Sequence, residues 1–302
     1  MFLKKITPFF LLISLFFIAC NNNSERTGVT IHQDDKIVND SILALRKSVD
    51  SSNANLLSKT ELLSDSIEGD INDMVYQGKN GLRIEWTHKT NENPIELNDV
   101  VLVNYKMRIT GGKVFDSNDK IESPIPLKTN IGMIIPGWEE ALLLMHPGDK
   151  GRILVPSKLG YGEEGVPKRV PSNANLVIDL EIIEKIEPEV LPEGVKVYKW
   201  KVDTKGAPPV KDQIIEFDYF AYVSGKNGHL YDNSYKNDKS FKMRFKNDNV
   251  VDGLHQGMQL MRENEAAFIY IPTNLAYGSK GMVDLVPKNS DIVYDVRIKS
   301  IK

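Results

Sequence analysis

Hydrophobic positions change their spacing in a definite order along residues 100–183. Val100 to Ile109 is a strand-like run, Thr110-Gly111-Gly112-Lys113 reads as the turn after it, and Val114-Phe115-Asp116 as the return. After Gly137 the apolar residues Trp138, Ala141, Leu142 and Met145 fall at i, i+3, i+4 and i+7. That spacing predicts one short amphipathic helix, ended by His146-Pro147-Gly148. Arg152 to Pro156 predicts another short strand. Leu176, Ile178, Leu180 and Ile182 alternate with Val177, Asp179, Glu181 and Ile183, the pattern of a half-buried closing strand. Several antiparallel strands with a single helix give an α+β class, with the helix on one face of a sheet.

The same pattern then recurs. Ile214 to Val223, Leu254 to Met261, Ala267 to Pro272 and Ile292 to Ile298 repeat strand, helix, strand and closing strand. Asp116 returns as Asp232, Gly137 as Gly253, Pro156 as Pro272, Tyr161-Gly162 as Tyr277-Gly278 and Asp179 as Asp295, all at an offset of 116 residues. Upstream the offset is 114, pairing Trp86 with Trp200 and Tyr105 with Tyr219. The difference of two falls in Gly225-Lys226-Asn227-Gly228, where a hairpin turn absorbs it. A repeat this long is a whole domain rather than a solenoid unit. The expected organisation is a signal over residues 1–19, a tether over 20–80, and two related domains over 81–187 and 194–302.

Composition adds a constraint and the N-terminus a location. The 302 residues carry 38 basic and 41 acidic side chains, net −3, so no basic field for nucleic acid is built. Lys4 and Lys5 precede an apolar run from Phe9 to Ala19, broken by Ser14, as in a secretory signal. Phe17-Ile18-Ala19-Cys20 resembles the lipobox of bacterial lipoproteins, and Cys20 is the only cysteine. A lone thiol makes no internal disulfide. The expectation is an exported chain, lipid-anchored through Cys20 to a bacterial membrane and facing the periplasm; the alternative is a plain secretory signal or an uncleaved anchor. Within the polar tether, Val38, Ile42, Leu45 and Val49, then Leu63, Ile67, Ile71 and Met74, mark two short helical faces. They predict either a spacer or an arm over residues 37–76 that pairs with a second copy.

Tyr105, Phe115-Asp116-Ser117, Ile134-Ile135-Pro136-Gly137-Trp138-Glu139-Glu140, Gly160-Tyr161-Gly162 and Val170-Pro171 keep the order and spacing of a known pattern. Residues 81–187 resemble the FK506-binding class of peptidyl-prolyl isomerases, and 194–302 resemble it with more departures. The layout is also similar to the gliding-motility-associated isomerase lipoproteins of Bacteroidetes. The resemblance implies a proline pocket lined by Tyr105, Phe115, Ile125, Ile134, Ile135, Trp138, Tyr161, Val170 and Ile178. It implies Trp138 as the floor, the Ile135 N–H and the Tyr161 hydroxyl as donors to the peptide, and Asp116 as the pocket carboxylate. Ile125 and Ile178 stand where the family commonly has Phe. In copy two the matching positions are Tyr219, Tyr231, Asp232, Phe241, Val250, Val251, Leu254, Tyr277, Val286 and Tyr294. There Leu254 replaces the floor Trp, and Tyr231 brings a hydroxyl to the Phe115 position. Taken singly these residues would also serve as ordinary core; a carboxylate such as Asp116 beside an apolar wall needs a partner.

The implied chemistry needs no cofactor, nucleophile or metal. Amide rotation is slow because resonance is lost, with a barrier of ~18–20 kcal/mol. A dry aromatic pocket favours the twisted, less polar amide over the planar one, provided donors hold the flanking backbone. His32, His88, His146, His229 and His255 show no metal-ligand spacing. Val166 and Val170, and Met282 and Val286, are flap residues placed to grip apolar flanks of a substrate. The expected partners are proline-containing exported polypeptides, turned over mainly by copy one. A rival use of the same pockets is a non-catalytic chaperone or scaffold that holds proline-containing segments.

Overall fold

The computed structural model describes residues 69–72, 74–121, 123–225, 228–237 and 239–302. Two antiparallel sheets carry one short α-helix each. Sheet one comprises β1 (Gly69–Asn72), β2 (Val75–Gly78), β3 (Arg83–His88), β4 (Val100–Ile109), β5 (Val114–Ser117), β6 (Ile125–Lys128), β7 (Lys150–Val155) and β8 (Leu176–Ile186). Its order is β1-β2-β3-β7-β8-β4-β5, with β6 pairing the other end of β4. Helix α1 (Pro136–Leu142) lies across β7. Gly137 makes this approach close: a Cβ there would fall 2.6 Å from Val155 Cγ1. Sheet two is built from β9 (Glu189–Val190), β10 (Lys196–Lys201), β11 (Ile214–Val223), β12 (His229–Asn233), β13 (Phe241–Arg244), β14 (Ala266–Ile271) and β15 (Ile292–Ile301). Its order is β12-β11-β15-β14-β10-β9, with β13 on β11 and helix α2 (Asp252–Met258) against β14. The α+β class and the duplication are therefore as expected.

Two expectations need correction. The helix after Gly137 stops at Leu142, and the helix of copy two stops at Met258 rather than Met261. Leu144 N–H bonds Ala141 O and Met145 N–H bonds Leu142 O, so the chain tightens into i→i+3 turns before Pro147. Met145 still reaches the core, which is why the apolar spacing continued past the helix. The second helical face of the tether is also wrong where it can be seen. Ile71 lies in β1, and β1 and β2 form a hairpin around Met74 that extends sheet one. Tyr76 is buried and pairs with Ile84, so the first domain begins before residue 81. An apolar spacing of four does not separate a helix from a hairpin when a sheet edge is waiting to be paired. Cys20, the signal, the first helical face, Leu63 and Ile67 lie outside the described residues.

The outer faces of the two sheets differ. On sheet one Arg152 bonds Asp179 at 2.7 Å, Arg108 also pairs with Asp179, and Lys150 bonds Glu181 at 2.7 Å. At the positions of Lys106, Arg108 and Arg152, sheet two carries Phe220, Tyr222 and Phe268. These are buried, and with Tyr198 and Val293 they belong to the first domain's apolar cluster rather than the second's. The second domain thus presents an aromatic sheet face to the first, where the first presents salt bridges to water.

Candidate functional site

On the inner face of sheet one, β4 supplies Tyr105, β5 supplies Phe115 and Asp116, β6 supplies Ile125 and β8 supplies Ile178. Helix α1 supplies Trp138. The two flanking segments bring Ile134-Ile135 and the stretch Tyr161 to Val170. The Tyr105 and Trp138 rings lie 5.0 Å apart, tilted by 50°. Trp138 is 5% exposed, and its indole N–H has no acceptor among the described residues. A buried donor without a partner is costly and is tolerated mainly where function needs the group. Ile135 caps α1 in an extended conformation, and its carbonyl accepts from Trp138 and Glu139 at 3.0 and 3.1 Å. Its N–H is not spent on a described residue, leaving a backbone donor at the pocket rim.

Asp116 sits among these rings. Its carboxyl lies close enough to the Tyr105 hydroxyl for each to shift the other's ionisation. Burial raises the Asp116 pKa; the Arg169 charge and the Tyr105 hydroxyl act the other way. Burial, with the Asp116 charge added, holds the Tyr105 and Tyr161 hydroxyls protonated well above the ordinary tyrosine range. Both are thereby kept as donors. Arg169 Nη2 also bonds Phe115 O at 3.0 Å, tying the flap to β5. Within the flap, Val166 and Val170 exchange backbone bonds of 2.7 and 2.8 Å. Arg169 is the residue missed from sequence. The signal was present, because a pocket carboxylate demands a partner, but residue spacing does not say which cation folds back to it.

Copy two assembles its own set differently. Tyr219 Oη donates to Asp232 at 2.7 Å, and Lys236 Nζ bonds the other Asp232 oxygen at 2.9 Å. Lys236 comes from the turn after β12, whereas the position of Arg169 is taken by Leu285. Tyr231 and Tyr294 are both buried and share a hydroxyl bond of 3.3 Å. Tyr277 stands edge-on to Tyr231 at 6.2 Å, and Tyr219 contacts Tyr294 at 5.5 Å and Phe241 at 6.0 Å. Leu254 and Val286 are buried beneath, and Val250 and Val251 are partly so. Phe241 is 39% exposed where Ile125 in copy one is buried, yet its ring keeps edge contacts with Tyr219 and with Phe217 at 5.6 Å. Burial, with neighbouring Tyr294 and Tyr277, raises the Tyr231 hydroxyl far above its usual range, so it too stays protonated.

Comparison with known proteins bears on both copies. The model of a family described as FKBP-type peptidyl-prolyl cis-trans isomerase matches residues 91–183 and 205–299. Peptidyl-prolyl cis-trans isomerase FKBP9 of Mus musculus is 28% identical over 212 residues, which is 68% of this chain and 35% of that protein. Peptidyl-prolyl cis-trans isomerase FKBP15-2 of Arabidopsis thaliana is 35% identical over 123 residues, 41% of this chain and 74% of the relative. Among solved structures, the three FKBP domains of wheat FKBP73 align at 24% identity and a TM-score of 0.38, covering 74% of this chain and 96% of that one. The chain spans about a third of the length of its mouse FKBP9 relative.

Proposed function

Because this chain belongs to the FKBP-type peptidyl-prolyl cis-trans isomerase family, we propose that it accelerates cis-trans conversion of X-Pro bonds in exported polypeptides, mainly in its first domain. The observation that carries this reading is the convergence of Tyr105, Asp116, Ile135, Trp138 and Tyr161, scattered over 57 residues of sequence, on one apolar site with its donors protonated. A proline ring enters over Trp138, between Tyr105 and Tyr161. The Ile135 N–H and the Tyr161 hydroxyl hold the peptide on either side of the bond. Planar amides are better hydrated than twisted ones, so removal of water raises the ground state relative to the transition state. Asp116, balanced by Arg169, orients the Tyr105 hydroxyl and adds polarity at one wall.

The second domain is the weaker catalyst in this reading. Leu254 stands at its floor position, and buried, hydroxyl-bonded Tyr231 and Tyr294 stand where copy one has Phe115 and Ile178, a more polar surround for a twisting amide. These features favour peptide binding over turnover. In the full chain, Asp116→Ala or Tyr161→Phe should lower kcat/KM for an X-Pro peptide about tenfold, roughly 1.4 kcal/mol of barrier. Asp232→Ala or Tyr277→Phe should change it less than twofold. Equal losses from both copies would end the division of labour. Absence of acceleration by the folded wild-type chain would favour the chaperone or scaffold use of both pockets.

The same reading places the protein on a bacterial membrane through acylated Cys20. Two or more acyl chains anchor a protein stably, at ~0.8 kcal/mol per buried CH₂. The support is the charged start, the apolar run and the single cysteine at its end. Cys20→Ser should move the protein from the membrane fraction to the soluble one and abolish palmitate incorporation. Continued labelling of that variant would refute the anchor.

A further inference from the structure

Ser224, Gly225 and Gly228, at the turn between β11 and β12, are where the second domain meets the first. Gly225 N–H donates to Asn130 O at 2.9 Å. Asn98 Oδ1 accepts from Ser224 Oγ at 3.2 Å and from Asn130 Nδ2 at 3.0 Å. Gly228 lies on the backbone of Ile131: a Cβ there would fall 2.7 Å from both its Cα and its carbonyl carbon. On the other side of the same residue, the Asn130 N–H donates to the Glu139 carboxylate. Glu139 adjoins Trp138 in α1, and the chain from Asn130 runs directly into Ile134-Ile135. Asn130, in the left-handed region at φ 63°, thus faces the second domain with its carbonyl and the pocket helix with its N–H.

Copy two shows which half of this link is shared. There the Lys246 N–H bonds His255 Nδ1 at 3.2 Å, the counterpart of Asn130 to Glu139. Arg244 bonds Asp212 O at 3.3 Å in an exposed setting, the counterpart of Lys128 to Asn98 O. Lys128 is instead 1% exposed, its Nζ 4.3 Å above the Tyr198 ring of the second domain. The loop-to-helix bond belongs to each copy; the burial of that loop beneath a neighbour is particular to copy one.

We infer that the second domain is a positioning element for the first domain's proline site, its Ser224, Gly225 and Gly228 setting residues 128–133 and, through Asn130 and Glu139, the segment that carries Ile135 and Trp138. This rests on the isomerase reading of copy one for its consequence, though not for its mechanics. The Ile135 N–H grips substrate backbone in the ground and transition states alike, so its displacement appears in KM. The test compares the full wild-type chain with Gly228→Val and with a chain lacking residues 226–227, which restores the hairpin length of copy one. Each is assayed for kcat and KM on an X-Pro peptide and for amide hydrogen exchange over residues 129–139. Both variants should raise KM about fivefold with kcat within twofold, and should speed exchange at 129–139 about tenfold. A variant that merely folds less well would lower kcat and leave KM alone. Unchanged KM and unchanged exchange in a folded variant would overturn the inference. If the wild-type chain shows no turnover, the isomerase reading fails while the exchange comparison still decides this one. Should Gly228→Val not fold, the shortened hairpin decides alone.

Discussion

Trp138→Leu, which gives the first pocket the floor of the second, is expected to cut kcat/KM of the full chain at least tenfold while leaving it folded. Trp138 is buried on α1 and meets Tyr105 at 5.0 Å, so its ring forms both floor and wall. A buried aromatic contributes about 150–250 Å² of apolar contact. Leucine restores only part of that, and the remaining space admits water to an amide whose twisting depends on its exclusion. The loss of fold stability should be only about 1–3 kcal/mol, because leucine stays apolar and the orphaned indole N–H disappears with the ring. Urea unfolding and the isomerase assay on one preparation check both halves. Wild-type turnover from a folded Trp138→Leu chain would mean that the floor carries no part of the reaction.

Lys128→Met should remove a pH dependence of stability that the wild-type chain shows above neutrality. Burial lowers the Lys128 pKa from 10.5 to about 7; Asp99 opposes the shift and Lys196 reinforces it. The packing that buries it comes from the Tyr198 ring across the domain junction. In the unfolded chain the ammonium keeps its proton up to about pH 10, so from pH 7 upward the unfolded state binds more protons than the folded one. Stability therefore rises with pH across this window, by up to ~1.4 kcal/mol per pH unit, and the penalty of the buried charge is full below pH 7. Between pH 7 and 9.5, below the range where unfolded tyrosines ionise, the accumulated gain is roughly 2–3 kcal/mol. Methionine keeps the apolar stem and has no proton to lose, so the variant's stability should lack this rise. Parallel pH profiles for the two proteins would show that Lys128 is solvated and that the domains do not dock there. Methionine leaves the Asn98 carbonyl without its donor, so the slope, rather than the stability at a single pH, is the decisive quantity.

Much of this molecule was legible along the chain because its information is local or repeated. Alternation in Leu176 to Ile182 and the i, i+3, i+4 spacing after Gly137 follow directly from strand and helix periodicity. The duplication exposed itself through recurring residues, and the spaced set around Trp138 carried the family resemblance that implied a pocket before any strand order was known. Spacing could not supply partners that meet only after folding. Arg169 and Lys236 reach their carboxylates from different elements, so the repeat itself concealed them. The hairpin at Gly69 to Gly78 exists because a sheet edge accepts it, a reason outside its own sequence. The replacement of Lys106, Arg108 and Arg152 by Phe220, Tyr222 and Phe268 was written in the repeat, yet its meaning was not. A sequence shows which face of a strand is apolar; only the tertiary structure brings a second surface to bury it, because burial depends on contacts made far apart along the chain. Residue pattern therefore determined two similar domains, while packing decided which side chains meet at each site, that one domain leans on the other, and that Lys128 is left without water.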